Sequence, residues 1–558
     1  MQAIDLHVHS TFSDGTLTPS QLVNLAVKSN LEAFALTDHD TTDGIEEALF
    51  ESKNHDVEVI PGIEFSTEYG GKDIHILGYY INPYNPEFIK TVHEFRDSRE
   101  TRNRKMCAKL SEMGIDINYD DFIAEFPDSV ITRAHYAKYM VNHGIIKYMD
   151  EAFEKYIGDN CPGFISREKI SPSQAVSLII ACGGIPVLAH PILYRLSDSD
   201  LETLVASLKK SGLKGIETIY STYSQTDERL IRKLASKYKL LITGGSDFHG
   251  NNKPNLSLGC GRGDLYIPTK LLPPLKKAYL NGFVTNPFIR AGLFFDMDGT
   301  LLNDDKEISP ITRALLFKAI ENGNLFVINT GRPLESALKL VERLNLQDIT
   351  DYIAAFNGGA VYNYKSQVFT YKCTLKQNIT ETVKDIAIKH NCHFHSYSDY
   401  EILSEKETEE LEFYKNYVNL PARIVPDLIK EEPTPYKLLI MNFKDREALL
   451  KVREEVENTL GDSVFCIFSN KKFLEVIPRE SGKGNALLHI CERENIKVQN
   501  SYAFADEEND ISLFEKAGKS VCLLNGNPKL KAIADYTTFR DNNNDGLADF
   551  LQMFSERK

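Results

Sequence analysis

The chain has 558 residues, which at roughly 150 residues per domain amounts to about three or four units and excludes a single core. Hydrophobic residues make up 42% and charged residues 26% of the composition, the balance of a globular protein and not of a disordered one. A net charge of −15 repels long nucleic acid, so no long DNA is expected as a partner, while a small phosphorylated substrate at a metal site is allowed.

The chain begins with Asp5 and His7 where a signal peptide needs a basic residue followed by an apolar run. Short apolar runs then alternate with amphipathic helical stretches, at residues 4–8, 33–36, 57–60, 74–77, 185–188, 216–220 and 240–243. That rhythm predicts βα units around a mostly parallel sheet or barrel. Thr18-Pro19 supplies an N-cap and a first-turn proline for one of the helices. Residues 86–171 read as a largely helical insert, placed to form a lid. The most apolar stretch, 176–189, contains Ser177, Gly183, Gly184 and Pro186 and falls short of the roughly 18 unbroken apolar residues of a membrane span. No membrane association and a cytoplasmic location are therefore expected. Pro273, Pro274 and Pro287 close this unit over a short linker.

A second βα series starts at 293–295, passes through 325–328 to about 372, and resumes near Lys483 with a strand at 502–504. The interruption reads as helix 375–389, strand 393–397, helix 405–417, strand 437–442, helix 445–460, and strands 464–468 and 473–477. It is an α+β insertion on an α/β core, and its acidic stretch 405–412 reads as a solvated helix face. The nine cysteines, an odd number without a C-x-x-C pair, read as reduced core residues.

His7-Val8-His9 has the i, i+2 spacing that puts two imidazoles on one face of a strand, within reach of one metal ion. Further ligand types recur where the apolar runs end: Asp14, His39, Glu64, His190, Asp247 and His249, with His75 inside its own run. In barrels of βα units that end of the strands is where catalytic residues converge. Nine candidate ligands suit two or three divalent ions. Three carboxylates facing three such ions leave the site positive, which attracts phosphate.

Through DLHVHSTFSDG, LTDHD, PGIEFS, HILGY, LAHP and SDFHG, residues 1–286 resemble the polymerase and histidinol phosphatase (PHP) family, in its branch of small-nucleotide phosphoesterases. The resemblance implies a distorted βα barrel, with a domain over residues 1–288, and two or three transition-metal ions (Mn, Fe or Zn). One ion would sit on His7, His9, Glu64 and Asp247, a second on the bridging Glu64 with His75 and His190, and a third on Asp14, His39 and His249. Water activated by the ions would attack phosphorus in line. The implied reaction is removal of the 3'-phosphate from nucleoside 3',5'-bisphosphates, with 5'-3' trimming of short RNA as the alternative. In the insert this chain reads Thr132-Arg133-Ala134-His135, where relatives commonly carry proline between Arg and His. Arg133 and His135 are carried as phosphate contacts.

In the second series, 293–295 ends in Asp296-Met297-Asp298-Gly299-Thr300, two carboxylates two apart before a tight turn, where they can share magnesium while one attacks. Thr330, then Lys483 within Ser481-Gly482-Lys483-Gly484, then Asp506 to Asp510 follow in order. Residues 291–554 thereby resemble the haloacid dehalogenase superfamily in its Cof-like subclass IIB. The resemblance implies a Rossmann-like core over 289–371 and 476–558 with a substrate-selecting α+β cap over 372–475. By resemblance Asp296 is the nucleophile that forms an aspartyl-phosphate and Asp298 the general acid/base. Thr330 and Lys483 hold phosphoryl oxygens, Asp296, Asp298, Asp506 and Asp510 form the Mg²⁺ site, and Asn357 and Asn509 line the substrate. Ala505 stands where the family usually has glycine. Asp541, Asn543, Asp545 and Gly546 imitate an EF-hand loop, but the twelfth position is Gln552, so a polar turn is expected there. The whole reads as a bifunctional phosphoesterase acting on small phosphorylated metabolites. A rival reading makes one domain a non-catalytic sensor of a phosphorylated ligand.

Overall fold

A computed structural model describes residues 2–53, 55–127, 129–158, 161–165, 170–284, 286 and 288–555; Pro287, expected in the linker, lies outside them. Internal contacts divide the chain into two units, Met1–Asn281 and Gly282–Lys558.

In the first unit, β1 (Ala3–Val8), β2 (Leu31–Leu36), β3 (Glu58–Tyr69), β4 (Lys72–Tyr79), β5 (Ile185–Leu188), β6 (Gly215–Tyr220) and β7 (Leu241–Gly245) form one sheet in sequential order. A bridge between Val8 and Phe248, with His9 N–H donating to the Phe248 carbonyl at 3.0 Å, draws the two ends together into a distorted barrel. The strands are buried along most of their length, as expected when helices cover the outside and side chains fill the inside. The helix Pro19–Lys28 begins with a capping box in which Thr18 and Gln21 exchange hydrogen bonds of 3.2 and 3.0 Å. Its Leu22, Val23 and Ala26 are buried.

The sheet is mostly parallel, as expected, with one strand reversed. β4 runs antiparallel to both β3 and β5. The cause is local: Gly70 and Gly71 both take positive φ (59° and 76°), the turn chemistry of a tight hairpin, so the chain doubles back after Tyr69. The insert contains helices Pro86–Glu112, Tyr119–Ala124 and Arg133–Asn142, packed around Met106, Leu110, Phe122 and Tyr136.

The second unit holds β8 (Gly292–Phe295), β9 (Leu325–Asn329), β10 (Tyr352–Ala355), β11 (Ala360–Asn363) and β12 (Val368–Lys372). Next come β13 (His393–Tyr397), β14 (Ile402–Ser404), β15 (Ala422–Ile424), β16 (Leu438–Met441), β17 (Val464–Asn470) and β18 (Phe473–Pro478), and finally β19 (Ser501–Ala505), β20 (Lys519–Cys522) and β21 (Tyr536–Thr537). The core sheet has the order β12-β11-β10-β9-β8-β19-β20-β21, parallel from β10 to β21 and closed by an antiparallel β10-β11-β12 meander. β13 to β18 make a separate sheet, β15-β14-β13-β16-β18-β17, with the helices Gln377–Lys389 and Arg446–Leu460 packed on it through Val383, Leu449 and Val452. Phe283, fully buried, enters this unit's core against Tyr502, Tyr536, Phe550 and Phe554 with ring centroids 4.9–5.9 Å apart. Asp541 closes the polar turn by accepting from Asn543 N–H and the Asn544 amide. All nine cysteines are unpaired, and no described helix is long and apolar enough to cross a membrane.

Candidate active sites

Alternation along β1 sends His7 and His9 to one face, and both are fully buried. Gly245 on β7 permits this, since a Cβ there would lie 2.1 Å from the His7 Cβ. Asp14, His39, His190, Asp247 and His249 follow the ends of their strands, and the reversal of β4 explains the apparent exception of His75. Because that strand runs backwards, a residue near its start, paired with Ser66, reaches the same rim.

Glu64 is the hub. Its Oε2 lies 3.2 Å from His7 Nε2, 3.3 Å from His9 Nε2 and 3.2 Å from His39 Nδ1, while Oε1 lies 2.8 Å from His75 Nδ1 and 3.0 Å from His190 Nε2. Asp247 Oδ1 is 3.4 Å from His9 Nε2 and 3.3 Å from His249 Nδ1, and Asp14 Oδ1 is 3.1 Å from His249 Nε2. Burial alone would raise the Glu64 carboxyl, but the charges of His7, His39 and His75 outweigh it and hold the group well below its ordinary range.

The donor set fits divalent metal. His9, Asp14, His39 and His249 can offer ligand atoms within 4.8 Å of one another, as can His7 with Glu64 and His190, His7 with His9 and Asp247, and His39 with Glu64 and His75. His7 Nε2, His9 Nε2, His39 Nδ1 and Asp14 Oδ1 are buried without a hydrogen-bond partner, an arrangement that costs free energy unless a cation takes the lone pairs.

Three neighbours that sequence reasoning missed fix these ligands. Glu217 on β6 lies 3.1 Å from His7 Nδ1, which turns Nε2 toward Glu64, and it also accepts the His190 backbone N–H at 2.7 Å. Tyr220 and Lys253 donate to Asp247 Oδ2 at 2.6 and 2.5 Å, leaving Oδ1 for the cluster. The signal for Glu217 was a lone acid inside the apolar run 216–220. Two of the candidate ligands also stand on positive φ, His190 at 23° and Asp247 at 55°, a strained backbone conformation.

A cleft of about 340 Å³ opens on the cluster, with Arg102, Arg133, Phe164, Leu193 and Tyr194 in its walls. Arg133 pairs with Asp73 at 3.0 Å there. His135 is not among the residues that line the cleft. It is the third residue of the helix Arg133–Asn142, and its Nδ1 accepts from the buried backbone N–H of Thr132 at 2.9 Å. Thr132 in turn donates to Asp14 at 3.2 Å.

In the second unit Asp296 follows β8, Thr330 follows β9 and Asp506 follows β19, so three adjacent parallel strands deliver their residues to one edge. Lys483, fully buried at the start of the helix Lys483–Arg493, donates to Asp296 at 2.5 Å and to Asp510 at 2.6 Å. Thr300 donates to Asp506 at 2.6 Å. Gly299 (φ 81°) passes so close to Asp506 that a Cβ would meet its Oδ2 at 2.3 Å. Burial and then the charge of Asp296 push Asp506 well up, and burial, only partly offset by Lys483, pushes Asp510 up to about 7. Three buried carboxylates against one ammonium lack positive charge, the deficit a divalent ion with oxygen ligands makes good.

Asp298 is gripped by Arg332 at 2.6 and 2.7 Å and by Lys306 at 2.9 Å, neither of which the motifs had singled out. Burial would raise it, yet these cations hold it down at about 2. Asn357 and Asn509 join each other at 3.1 Å, and Asn357 donates to the buried Glu475 of β18 at 2.6 Å. Lys437, also buried, pairs with Glu475 at 3.1 Å and donates to the Gly331 carbonyl at 2.9 Å. The β13–β18 layer thus reaches the loop carrying Thr330.

Each unit therefore presents a site for hydrolysing phosphate esters, the first of imidazoles and carboxylates, the second of carboxylates and one lysine. The profile of the PHP domain matches residues 5–162, and that of the haloacid dehalogenase-like hydrolases matches residues 293–551. Over 245 residues the chain is 35% identical to a 5'-3' exoribonuclease of Haemophilus influenzae, covering 44% of this chain and 89% of that one. Over 277 residues it is 32% identical to a 3',5'-nucleoside bisphosphate phosphatase of Chromobacterium violaceum, covering 49% and 94%. The second unit accounts for 27% identity over 281 residues to the 5-amino-6-(5-phospho-D-ribitylamino)uracil phosphatase of Bacillus subtilis, covering 46% and 95%. The chain belongs to the PHP family in its first unit and to the haloacid dehalogenase-like hydrolases in its second, and is a bifunctional phosphoesterase.

Proposed function

We propose that the first unit removes the 3'-phosphate of nucleoside 3',5'-bisphosphates and that the second dephosphorylates a small phosphorylated metabolite through an aspartyl-phosphate on Asp296. The observation that carries the first half is Glu64 within 3.3 Å of five imidazoles at the floor of a cleft of mononucleotide size whose wall holds Arg102 and Arg133. The nine residues His7, His9, Asp14, His39, Glu64, His75, His190, Asp247 and His249 would hold two or three ions, and imidazole-rich ligation favours Mn, Fe or Zn. Bound divalent ions supply Lewis acidity and a nucleophile from water at neutral pH. Glu217 orients His7, Tyr220 and Lys253 orient Asp247, and Arg133 and Arg102 offer charge to the phosphate that is not cleaved.

In the second unit the carboxylates of Asp296, Asp506 and Asp510 suit Mg²⁺, whereas both oxygens of Asp298, expected in that set, are held by Arg332 and Lys306. An Asp296 carboxylate oxygen attacks phosphorus, the bond to the ester oxygen breaks, and that oxygen takes up a proton from solvent by way of Asp298, which is left ionised. Water activated by Asp298 then cleaves the acyl-phosphate and restores Asp296. Lys483 and Thr330 hold phosphoryl oxygens. The ionised, cation-gripped Asp298 is the base form that the second step requires. The β13–β18 layer, whose last strand runs to Pro478 and so past the 475 expected for the cap, is the cap that meets the leaving group. Nine thiols without disulfides match a cytoplasmic protein.

The second reading, 5'-3' trimming of short RNA, has in its favour the Haemophilus influenzae relative named for that activity. Phosphate release from a nucleoside 3',5'-bisphosphate and mononucleotide release from a 5'-phosphorylated short RNA, by wild type and Glu64→Gln, separate the two. Wild-type turnover of the RNA well above the bisphosphate would reverse the assignment. Absence of turnover on every phosphate ester would favour the sensor reading.

A further inference from the structure

The helix Glu409–Val418 carries an aromatic face that the reaction above does not use. Phe413 and Tyr417, one turn apart, are 44% and 50% exposed, with ring centroids 6.1 Å apart and planes within 12°. Phe443 stands edge-on to Phe413 at 5.2 Å and Phe473 edge-on to Tyr417 at 5.7 Å, which fixes both rings. Lys472 lies 4.7 Å above the Phe443 ring.

This face is tied to the reacting groups by a short chain of hydrogen bonds. Arg332, which grips Asp298, donates to Ser336 at 3.3 Å, and Ser336 donates to the Val418 carbonyl, the residue after Tyr417, at 2.7 Å. Tyr417 is accordingly within electrostatic reach of Asp298, Lys306, Arg332 and Glu475. The site thus offers, beside Asp298, a polar stretch in the Glu475–Asn357 pair, suited to hydroxyls, and on the same layer a flat, partly exposed π surface next to a cation.

We propose that Phe413 and Tyr417 are the specificity platform of the second site, and that its leaving group carries a planar heterocycle on a hydroxylated linker, the chemistry of a nucleoside 5'-monophosphate. The inference rests on the phosphatase reading of that site. Exposed aromatic pairs lose hydration on stacking with any base, because every base has a π face, and the polar stretch supplies acceptors and donors for ribose-like hydroxyls. A simple phosphate lacking the ring leaves the platform wet.

The test uses the full chain carrying Glu64→Gln, so that the first site is silent, and compares kcat/KM for adenosine 5'-monophosphate, ribose 5-phosphate and acetyl phosphate. The expected result is a preference for the ring-bearing ester over ribose 5-phosphate. Tyr417→Ala should lower that preference about tenfold and Tyr417→Phe should keep it. An unchanged preference in Tyr417→Ala, or a parent protein that prefers ribose 5-phosphate, overturns the platform while acetyl phosphate turnover shows the phosphatase reading intact. Loss of turnover on all three esters overturns both.

Discussion

Glu217→Gln isolates the role of a residue that touches no expected substrate. The glutamate is fully buried and meets two partners, His7 Nδ1 at 3.1 Å and His190 N–H at 2.7 Å. Glutamine keeps the volume and one acceptor but removes the charge that strengthens the bond to His7 and raises the basicity of its Nε2. Losing such a partner behind a metal ligand typically weakens metal affinity about 10–100-fold, or about 1.4–2.7 kcal/mol. Glu217→Ala should be worse, because it also strands a buried N–H and a buried imidazole nitrogen at about 1–3 kcal/mol each. The assay is titration of metal-stripped protein with Mn²⁺ by calorimetry, alongside thermal melting with and without metal. The expected pattern is a weaker binding step and a smaller metal-induced rise in Tm for Gln, with the apo Tm lowered less than in Glu217→Ala. Wild-type affinity and stoichiometry in Glu217→Gln would refute the reasoning.

Glu64→Gln removes the carboxylate shared by five imidazoles, so bound metal should fall and first-site turnover should disappear; full metal content with near-normal turnover would contradict the hub. Asp296→Asn cannot form an acyl-phosphate and should abolish second-site turnover while first-site rates stay within a fewfold, as steady-state assays on both substrates would show. If the two sites act in series, wild type should release two phosphates from each nucleoside 3',5'-bisphosphate and Asp296→Asn only one, which phosphate counting decides. His393 is buried at hydrogen-bond distance from His395 (2.9 Å), and burial lowers its pKa from 6.5 to about 4. The unfolded chain therefore binds the extra proton, and this group's contribution, present above pH 6.5, is lost as pH falls toward 4, by about 3 kcal/mol. Urea midpoints at pH 7 and pH 4.5 should differ more in wild type than in His393→Gln, and equal shifts would count against the assignment.

The cluster of candidate ligands in the first site was legible because strand periodicity and motif spacing are local. His7 and His9 must share a face, and Asp14, His39 and His249 must follow strand ends. The place of His75 was not legible until the Gly70-Gly71 turn had reversed β4. Glu217 and Arg332 stayed hidden for another reason. Glu217 lies 210 residues from His7 in sequence, and Arg332 is 34 from Asp298, so their meaning depends on which strands become neighbours. The bond between His135 and the Thr132 N–H was not legible because it is a demand of the helix terminus and not of the motif. In the inserted layer β13 was legible from alternation, whereas β14 and β15, three residues each, are too short to show a period.

The burial of Phe283 bears on how the two activities can be taken apart. An expression boundary drawn after residue 288 would leave this ring on the first fragment, exposed, and open a hole among Tyr502, Phe550 and Phe554 in the second. Phenylalanine removed from a core typically costs about 3–5 kcal/mol, a large fraction of a domain's margin, so the truncated phosphatase would aggregate for reasons unrelated to catalysis. A fragment starting at Gly282 keeps its own plug, and a failure to find activity in it could then be read as chemistry.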